Sequence, residues 1–495
     1  MTSVNEIRGE IAYHTSMSNR RSADSRLVDN RLPFKTSHWF SEDAPDPKAS
    51  RAFSSEESAK TEATREEREG WSKEKPRKPD RNLYCDIAIV GAGFAGLSAA
   101  LEIKCRNPKL DVSIFEAQHA GFGASGRNAG WLMGLPPLLW LLEDTENEKR
   151  WEEIRFVSRN IESNLRELKT FLKEQGYSPD QIWQPSRHHL VARNALEEAT
   201  IRWAAPRFAK AGYPTEQISA ARTGDIVSYP ARSAIAYEID TIHPFHLVRS
   251  LKAICERNAI NIYEDAAIQS VKSGHTQVEL KTSAGYMVRA AKLILATNAY
   301  TDRIERNFPI PEAKPKHTYM LATNPLDDAT LDRISRSRAP FGDPALSFYI
   351  GRLHGRSLLF NGVDRDSAVR EEDDRHVRSF MKLERALFKR FPFLDSTSIG
   401  SAWAGAYLQT GTEAPIVGTV PGHPNVILSI GYGGGSGVGT ALMSGKLTAD
   451  LATEDRMDSD AERMRTLFAS GMRWPIGGFL RAGLSILKGM ISGSI

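Results

Sequence analysis

Cysteine is scarce in this chain: among 495 residues there are three, Cys85, Cys105 and Cys255. Three cannot build a disulfide framework, and their spacing gives no CxxC metal pair. No metal site is expected, and a reducing, cytoplasmic setting fits best. Long hydrophobic runs are also missing. No stretch approaches the ~18 to 20 consecutive apolar residues of a membrane span, and MTSVNEIRGEIAYHTSMSN at the start lacks the apolar segment of a signal peptide. A soluble protein with no transmembrane segment is therefore expected. Neither charge sign dominates: 65 Lys and Arg against 61 Asp and Glu leave +4. Such a balance gives no ground for a nucleic-acid partner. What is present is an apolar fraction of 41%, enough for a globular core. The length allows about two to three domains, and oligomeric state is not legible.

Residues 1–82 differ from the rest. SSEESAKTEATREEREGWSKEKPRKPDRN is dense in Ser, Glu, Lys, Arg and Pro and has few large apolar residues to bury. It reads as a flexible polar extension, with two short islands, LPF at 32–34 and HWF at 38–40, that could dock on the body. From Leu83 the pattern changes. CDIAIV is a buried parallel strand, FAGLSAALEIKC a helix and DVSIFEA a second strand, together a βαβ unit of about 30 residues. Charge-laced helices are expected over Glu143–Glu174 and Ala195–Ala211, then a helix in HPFHLVRSLKAICERN and a strand in INIYE. QVELKTSAGYMVRA reads as a hairpin, with KLILAT and NVILSI as further buried strands. Short strands in HTYMLATN and SLLFNGV and a helix in VRSFMKLERALFKRF fill the middle.

The stretch VGAGFAGLSAA holds a GxGxxG at Gly91, Gly93 and Gly96. The first glycine permits a tight strand-to-helix turn, the second lets backbone approach a pyrophosphate, and the third allows close helix–strand packing. The helix start offers free N–H groups and the positive end of its dipole to an anion. Glu116 lies 25 residues beyond Gly91, where its carboxylate can accept hydrogen bonds from ribose hydroxyls. The alternatives at this point are NAD and FAD. GFGASGRNAG at 121–130, so soon after Glu116, favours a flat ligand passed closely by backbone, with Ser125 and Arg127 as donors.

In that order the blocks DIAIVGAGFAGLSAA, FEA, GFGASGRNAG, LILATNAY, WAGAYLQTGTEAPIVG and GYGGGSGVGTALMSGKLTADL resemble the FAD-dependent D-amino-acid-oxidase superfamily, with its glycine- and sarcosine-oxidase branches. The GFGASGRNAG loop is most similar to γ-glutamylputrescine oxidoreductases and their amine-oxidising kin. The resemblance runs from about Leu83 to Thr453 and implies FAD, held non-covalently. No cysteine follows Cys255, and Asn128 stands where some relatives carry a flavin-linking histidine. It implies that Gly91, Ala92, Gly93, Phe94, Ala95 and Gly96 wrap the pyrophosphate and that Glu116 holds the ribose. Ser125, Gly126, Arg127 and Asn128 would approach the flavin end, Ile268 would bracket the adenine, and Thr297 would lie beneath the cofactor. The last loop, Gly435, Ser436, Gly437, Val438, Gly439 and Thr440, would present a helix start to the flavin N1–C2=O edge, favouring the charge gained on reduction. Relatives commonly carry histidine where Val438 stands, and a basic residue near Glu413 and Ala414.

The implied activity is oxidation of a C–N bond in a small-molecule amine or amino acid, with dioxygen or another acceptor taking the electrons. Trp403 matches a position close to the family active site and reads either as a wall of the substrate pocket or as core. Arg352 and Arg356 fall near a segment from which relatives bind a substrate carboxylate; surface arginine is the other reading. His188, His189, His243 and His354 show no ligand spacing and read as structural. The expected fold class is α/β, a Rossmann-like FAD domain discontinuous in sequence beside an α+β, mixed-sheet substrate domain. The expected segments are 83–135, 235–305 and 400–455 for FAD, 136–234 and 306–399 for substrate, and 456–495 as a C-terminal tail. A nicotinamide-linked dehydrogenase and a non-catalytic flavoprotein are the competing readings.

Overall fold

A computed structural model describes residues 82–134, 147–304, 308, 313–344, 349–369, 371–411, 413–433, 435–454 and 458–469, with residues 32, 37 and 39 of the N-terminal region. Two sheets organise them, one of eight strands and one of nine. In the first, Leu83–Val90 lies between Val112–Phe115 and Met287–Leu295, parallel to both. Asn261–Tyr263 and His423–Ile430 extend the parallel set on either side. These strands read as unbroken apolar runs because helices cover them. Among those helices are Phe94–Arg106, Pro244–Arg257 and Gly437–Thr453. The first and last approach closely: a Cβ on Gly445 would lie 2.6 Å from Ser98 Cβ. The helix at Pro244 starts sharply because proline fixes its first turn and the His243 ring accepts the His246 N–H.

The expected hairpin is Val278–Thr282 against Met287–Leu295. Its second arm and the buried KLILAT segment form one continuous strand, antiparallel to its hairpin partner and parallel to the core. The helix expected from Glu143 begins at Glu148, where the Asn147 side chain accepts the Lys149 N–H.

The second sheet runs Ile399–Thr410, Ala313–Thr323, Ser357–Asp366, Ile350–His354, Phe341–Gly342, Trp183–Ala192, Ser233–Ile242 and Trp131–Leu132, with Glu216–Ser219 beside Ser233–Ile242. Three of its strands fall inside segments expected in the FAD domain. Trp131–Leu132 and Ser233–Ile242 pair with each other, and Ile399–Thr410 pairs along Ala313–Thr323. An apolar strand shows the period of its burial and not which sheet receives it.

Leu32, Ser37 and Trp39 are buried, so the N-terminal extension is not solvated throughout. Within the expected tail, Ser459–Ala469 is a helix whose Met464, Leu467 and Phe468 are buried; residues 470–495 lie outside those described.

His188 is buried in the core and its Nδ1 accepts the Trp131 indole N–H at 3.1 Å. Burial, with a smaller repulsion from His189, lowers its pKa from 6.5 to about 3. The unfolded chain therefore takes up a proton that the native state refuses. Stability is complete above pH 6.5 and is lost as pH falls towards 3, by about 2 kcal/mol at pH 5 from this residue. Urea unfolding at pH 7 and pH 5 should show a smaller pH-dependent loss for His188→Asn than for the parent. Equal losses in the two proteins would remove this assignment.

Candidate cofactor-binding site

The glycine turn sits at the carboxyl end of Leu83–Val90, where parallel α/β sheets place their ligands. Gly91 has φ +107°, and a Cβ there would lie 2.6 Å from the Ala296 carbonyl oxygen. The helix that follows has Gly93 as its N-cap, with no side chain to close it and no acidic residue in its first turn. Two acceptors stand at the turn. Glu116 Oε2 takes the Ala92 N–H at 2.9 Å, and Ser125 Oγ takes the Phe94 N–H at 2.9 Å. Burial raises the Glu116 pKa, while N–H donation from Ala92 and Gln118 pulls it back. Gly93 is needed by Ser125 as well as by any phosphate, since its Cβ would meet Ser125 Oγ at 2.8 Å.

Residues 121–130 fold back on this turn through the short helix Ala124–Gly126. Gly121 and Gly130, both at φ +78°, bracket the loop. Here the side chains depart from expectation. Arg127 is buried and directed into protein: Nε donates to Phe122 O at 2.8 Å, Nη1 to Ala404 O at 3.0 Å, and Asp374 Oδ2 lies 3.1 Å away. His317 bonds the other Asp374 oxygen at 2.9 Å, so Arg127 joins the loop to the second sheet. Asn128 Nδ2 donates to Ser125 O at 2.9 Å.

Trp403 is 1% exposed and packs with Trp39, Phe245, Met320, Ala322 and Leu359. Its indole N–H donates to Arg127 O at 3.0 Å. The ring is packed in the core, the second of the two readings of this residue. Arg352 is not on the surface. It is 4% exposed, and Nη1 donates to Gly130 O at 2.8 Å.

The other expected residues gather at the same sheet edge. Thr297 follows Ala296, whose N–H bonds Val90 O at 2.9 Å, and its hydroxyl bonds Thr301 at 2.8 Å. Ile268 is buried near Tyr263 and Ala266, and the Ala266 N–H bonds Glu116 O at 2.8 Å. The final loop starts at Gly435, φ +83°, and leads through Ser436 into the helix Gly437–Thr453, which has no side-chain cap and no acid in its first turn. Gly439 packs beneath Met133 O, 2.7 Å from where its Cβ would be, while Val438 is half-buried and Thr440 Oγ1 bonds Ser436 O at 3.0 Å. Asn298 escaped the sequence reading, whereas Trp39 lies in the HWF island that could dock on the body. Asn298, at φ +43°, accepts the Gly431 and Tyr432 N–H groups at 3.0 and 3.1 Å and so ties the last loop to the ATNAY turn. Its signal was its place after a strand end, but asparagine there is common.

Two helix starts with no N-cap side-chain bond and no acid in the first turn, a glycine cradle and a half-buried ribose-range carboxylate at one parallel-sheet edge fit an FAD and define a dinucleotide-binding oxidoreductase fold. Among the described residues no metal-holding cluster of His, Cys, Asp or Glu occurs, and no helix is long and apolar enough to cross a membrane. The family model for FAD-dependent oxidoreductases (DAO) matches residues 86–451, and the chain belongs to that family. FAD is its cofactor. Gamma-glutamylputrescine oxidoreductase of Escherichia coli (strain K12) is 26% identical over 411 residues, 81% of this chain and 89% of that protein. The probable oxidoreductase OrdL of Haemophilus influenzae is 24% identical over 387 residues, covering 75% and 84%. Among solved structures, glycine oxidase from Geobacillus kaustophilus aligns with TM-score 0.63 at 17% identity, over 76% of this chain and 96% of that one. L-proline dehydrogenase from P. horikoshii aligns with TM-score 0.61 at 18% identity, over 78% and 98%.

Proposed function

We propose that this protein oxidises the C–N bond of a small amine or amino acid. The observation that carries the reading is the pair of helix starts at Phe94 and Gly437, neither with an N-cap side-chain bond or an acid in its first turn, in a chain similar over most of its length to gamma-glutamylputrescine oxidoreductase. When bound, FAD accepts a hydride from the carbon beside the amine nitrogen, leaving an imine that water hydrolyses. The chain's own part is to bind, orient and polarise. The turn Gly91–Gly96 holds the pyrophosphate, Glu116 the ribose, and Ile268 and Thr297 line the cofactor bed. The helix start behind Gly435–Thr440 supports negative charge at the flavin edge. Ser125 and Asn128 set the loop on the substrate side, and the second sheet forms the substrate domain. Binding is non-covalent, the electron acceptor is dioxygen or a carrier, and the setting is cytoplasmic.

Only the neutral amine yields hydride, so the rate of anaerobic flavin bleaching should rise with pH as substrate ammonium loses its proton. Stopped-flow absorbance with γ-glutamylputrescine, glycine, proline and N-alkyl amino acids, across pH, checks this. If NADPH alone bleaches the flavin while no amine does, a nicotinamide-dependent flavoenzyme replaces this reading.

A further inference from the structure

Three backbone carbonyls of the loop 127–130 receive a side-chain N–H from three distant places in the chain. Trp403 Nε1 donates to Arg127 O at 3.0 Å, Trp39 Nε1 to Asn128 O at 2.8 Å, and Arg352 Nη1 to Gly130 O at 2.8 Å. Trp403 and Arg352 lie on strands of the second sheet; Trp39 belongs to the polar N-terminal extension. Its ring is 0% exposed. It lies 4.8 Å from the His243 ring, 4.9 Å from His354 and 5.4 Å from the Arg352 guanidinium carbon. Ala129 packs against the same cluster.

From Asn128 the connection reaches the cofactor turn in two further bonds. Asn128 Nδ2 holds Ser125 O at 2.9 Å, and Ser125 Oγ accepts the Phe94 N–H at 2.9 Å, at the start of the helix. We propose that the N-terminal extension is a working part of the flavin site, with Trp39 as the positioning residue that fixes the Asn128–Ser125 arm of the loop against the cofactor turn. A side chain from outside the two sheets thus sets where a cofactor-facing hydroxyl stands. Leu32, buried with Tyr229, Phe341 and Phe391 in the core of the second sheet, anchors the same extension at another point.

The test needs no amine substrate and so stands apart from the proposed reaction. Trp39→Phe keeps an aromatic ring and removes the N–H; Trp39→Ala removes both. Leu359→Ala opens a cavity in the same cluster without touching the loop carbonyls. FAD affinity of the full chain by equilibrium dialysis, visible circular dichroism of the bound flavin, and thermal melting of the FAD-free protein are measured for each. Trp39→Phe should weaken FAD binding about fivefold, the equivalent of one lost hydrogen bond. It should alter the flavin dichroism and leave the melting temperature close to the parent's. Leu359→Ala should lower melting while affinity and dichroism stay as in the parent. The proposal falls if Trp39→Phe binds FAD with unchanged affinity and dichroism. It falls equally if both variants lose affinity in proportion to their loss of melting temperature, for then Trp39 acts through packing alone.

Discussion

Gly91→Val is expected to abolish FAD retention, with affinity lower by at least about 100-fold, or roughly 2.7 kcal/mol. The cause is local. Gly91 has φ +107°, a conformation that a β-branched residue adopts only under strain, and its Cβ would stand 2.6 Å from Ala296 O and 3.1 Å from Ala296 C. Both are backbone atoms at the end of a central strand and cannot swing aside. The turn must open, and the N–H groups of the helix start then lose their aim. Gly93→Ala provides the contrast: its methyl meets Ser125 Oγ at 2.8 Å, a side chain that can rotate, so a loss nearer tenfold is expected. Equilibrium dialysis against FAD, with far-ultraviolet circular dichroism to establish folding, checks both. A folded Gly91→Val protein that bound FAD as tightly as the parent would require the cradle to be placed elsewhere.

Arg390→Met should cost about 3 kcal/mol of stability, the lower end for breaking a buried ion pair. Arg390 and Asp343 are bonded to each other and almost wholly buried, and the Arg390 guanidinium lies 4.8 Å from the Tyr349 ring. Burial raises the Asp343 pKa, and the positive charges of Arg390 and Arg193 pull it back. With Arg390 gone, the cation left to Asp343 among the described residues is Arg193, 3.3 Å away and more exposed, which Glu197 also engages at 2.7 Å. The double variant Arg390→Met, Asp343→Asn should therefore be more stable than Arg390→Met alone, since no buried carboxylate is left short of charge. Urea unfolding of the two single variants, the double variant and the parent measures the coupling. Strictly additive losses would mean that the pair contributes nothing beyond packing.

Where the sequence was legible, the signal was local. Gly91 at a positive φ, the helix from Phe94 and the carboxylate of Glu116 beside Ala92 all lie within one βαβ unit, so spacing alone sets their meeting. That the HWF island could dock was legible, but that Trp39 would reach Asn128 O was not, because a partner is decided by what lies across the fold. Arg127 looked like a ligand donor since a loop arginine has five N–H groups to offer; that Asp374 and Ala404 O receive them depends on a short helix and a strand 247 and 277 residues onward. That Ser233–Ile242 and Ile399–Thr410 join the second sheet was not legible for a related reason. A strand's composition reports that it is covered, and its partner is chosen by topology.

The parallel sheet also has a consequence for biosynthesis. Its strands arrive from widely spaced parts of the chain: Val90 pairs with Leu295, which in turn pairs with Leu428. Between residues 90 and 423, where the last parallel strand begins, lie 333 positions, so at ~5 to 20 residues per second a ribosome needs roughly 17 to 67 seconds to supply it. During that interval the glycine turn has emerged, but the strand beyond Met287–Leu295 and the helix that packs on Ser98 have not. A nascent chain halted before His423 therefore holds an open edge at Leu293–Leu295 and an incomplete cofactor bed. Capture of the flavin on the ribosome becomes a marker that translation has passed the final strand.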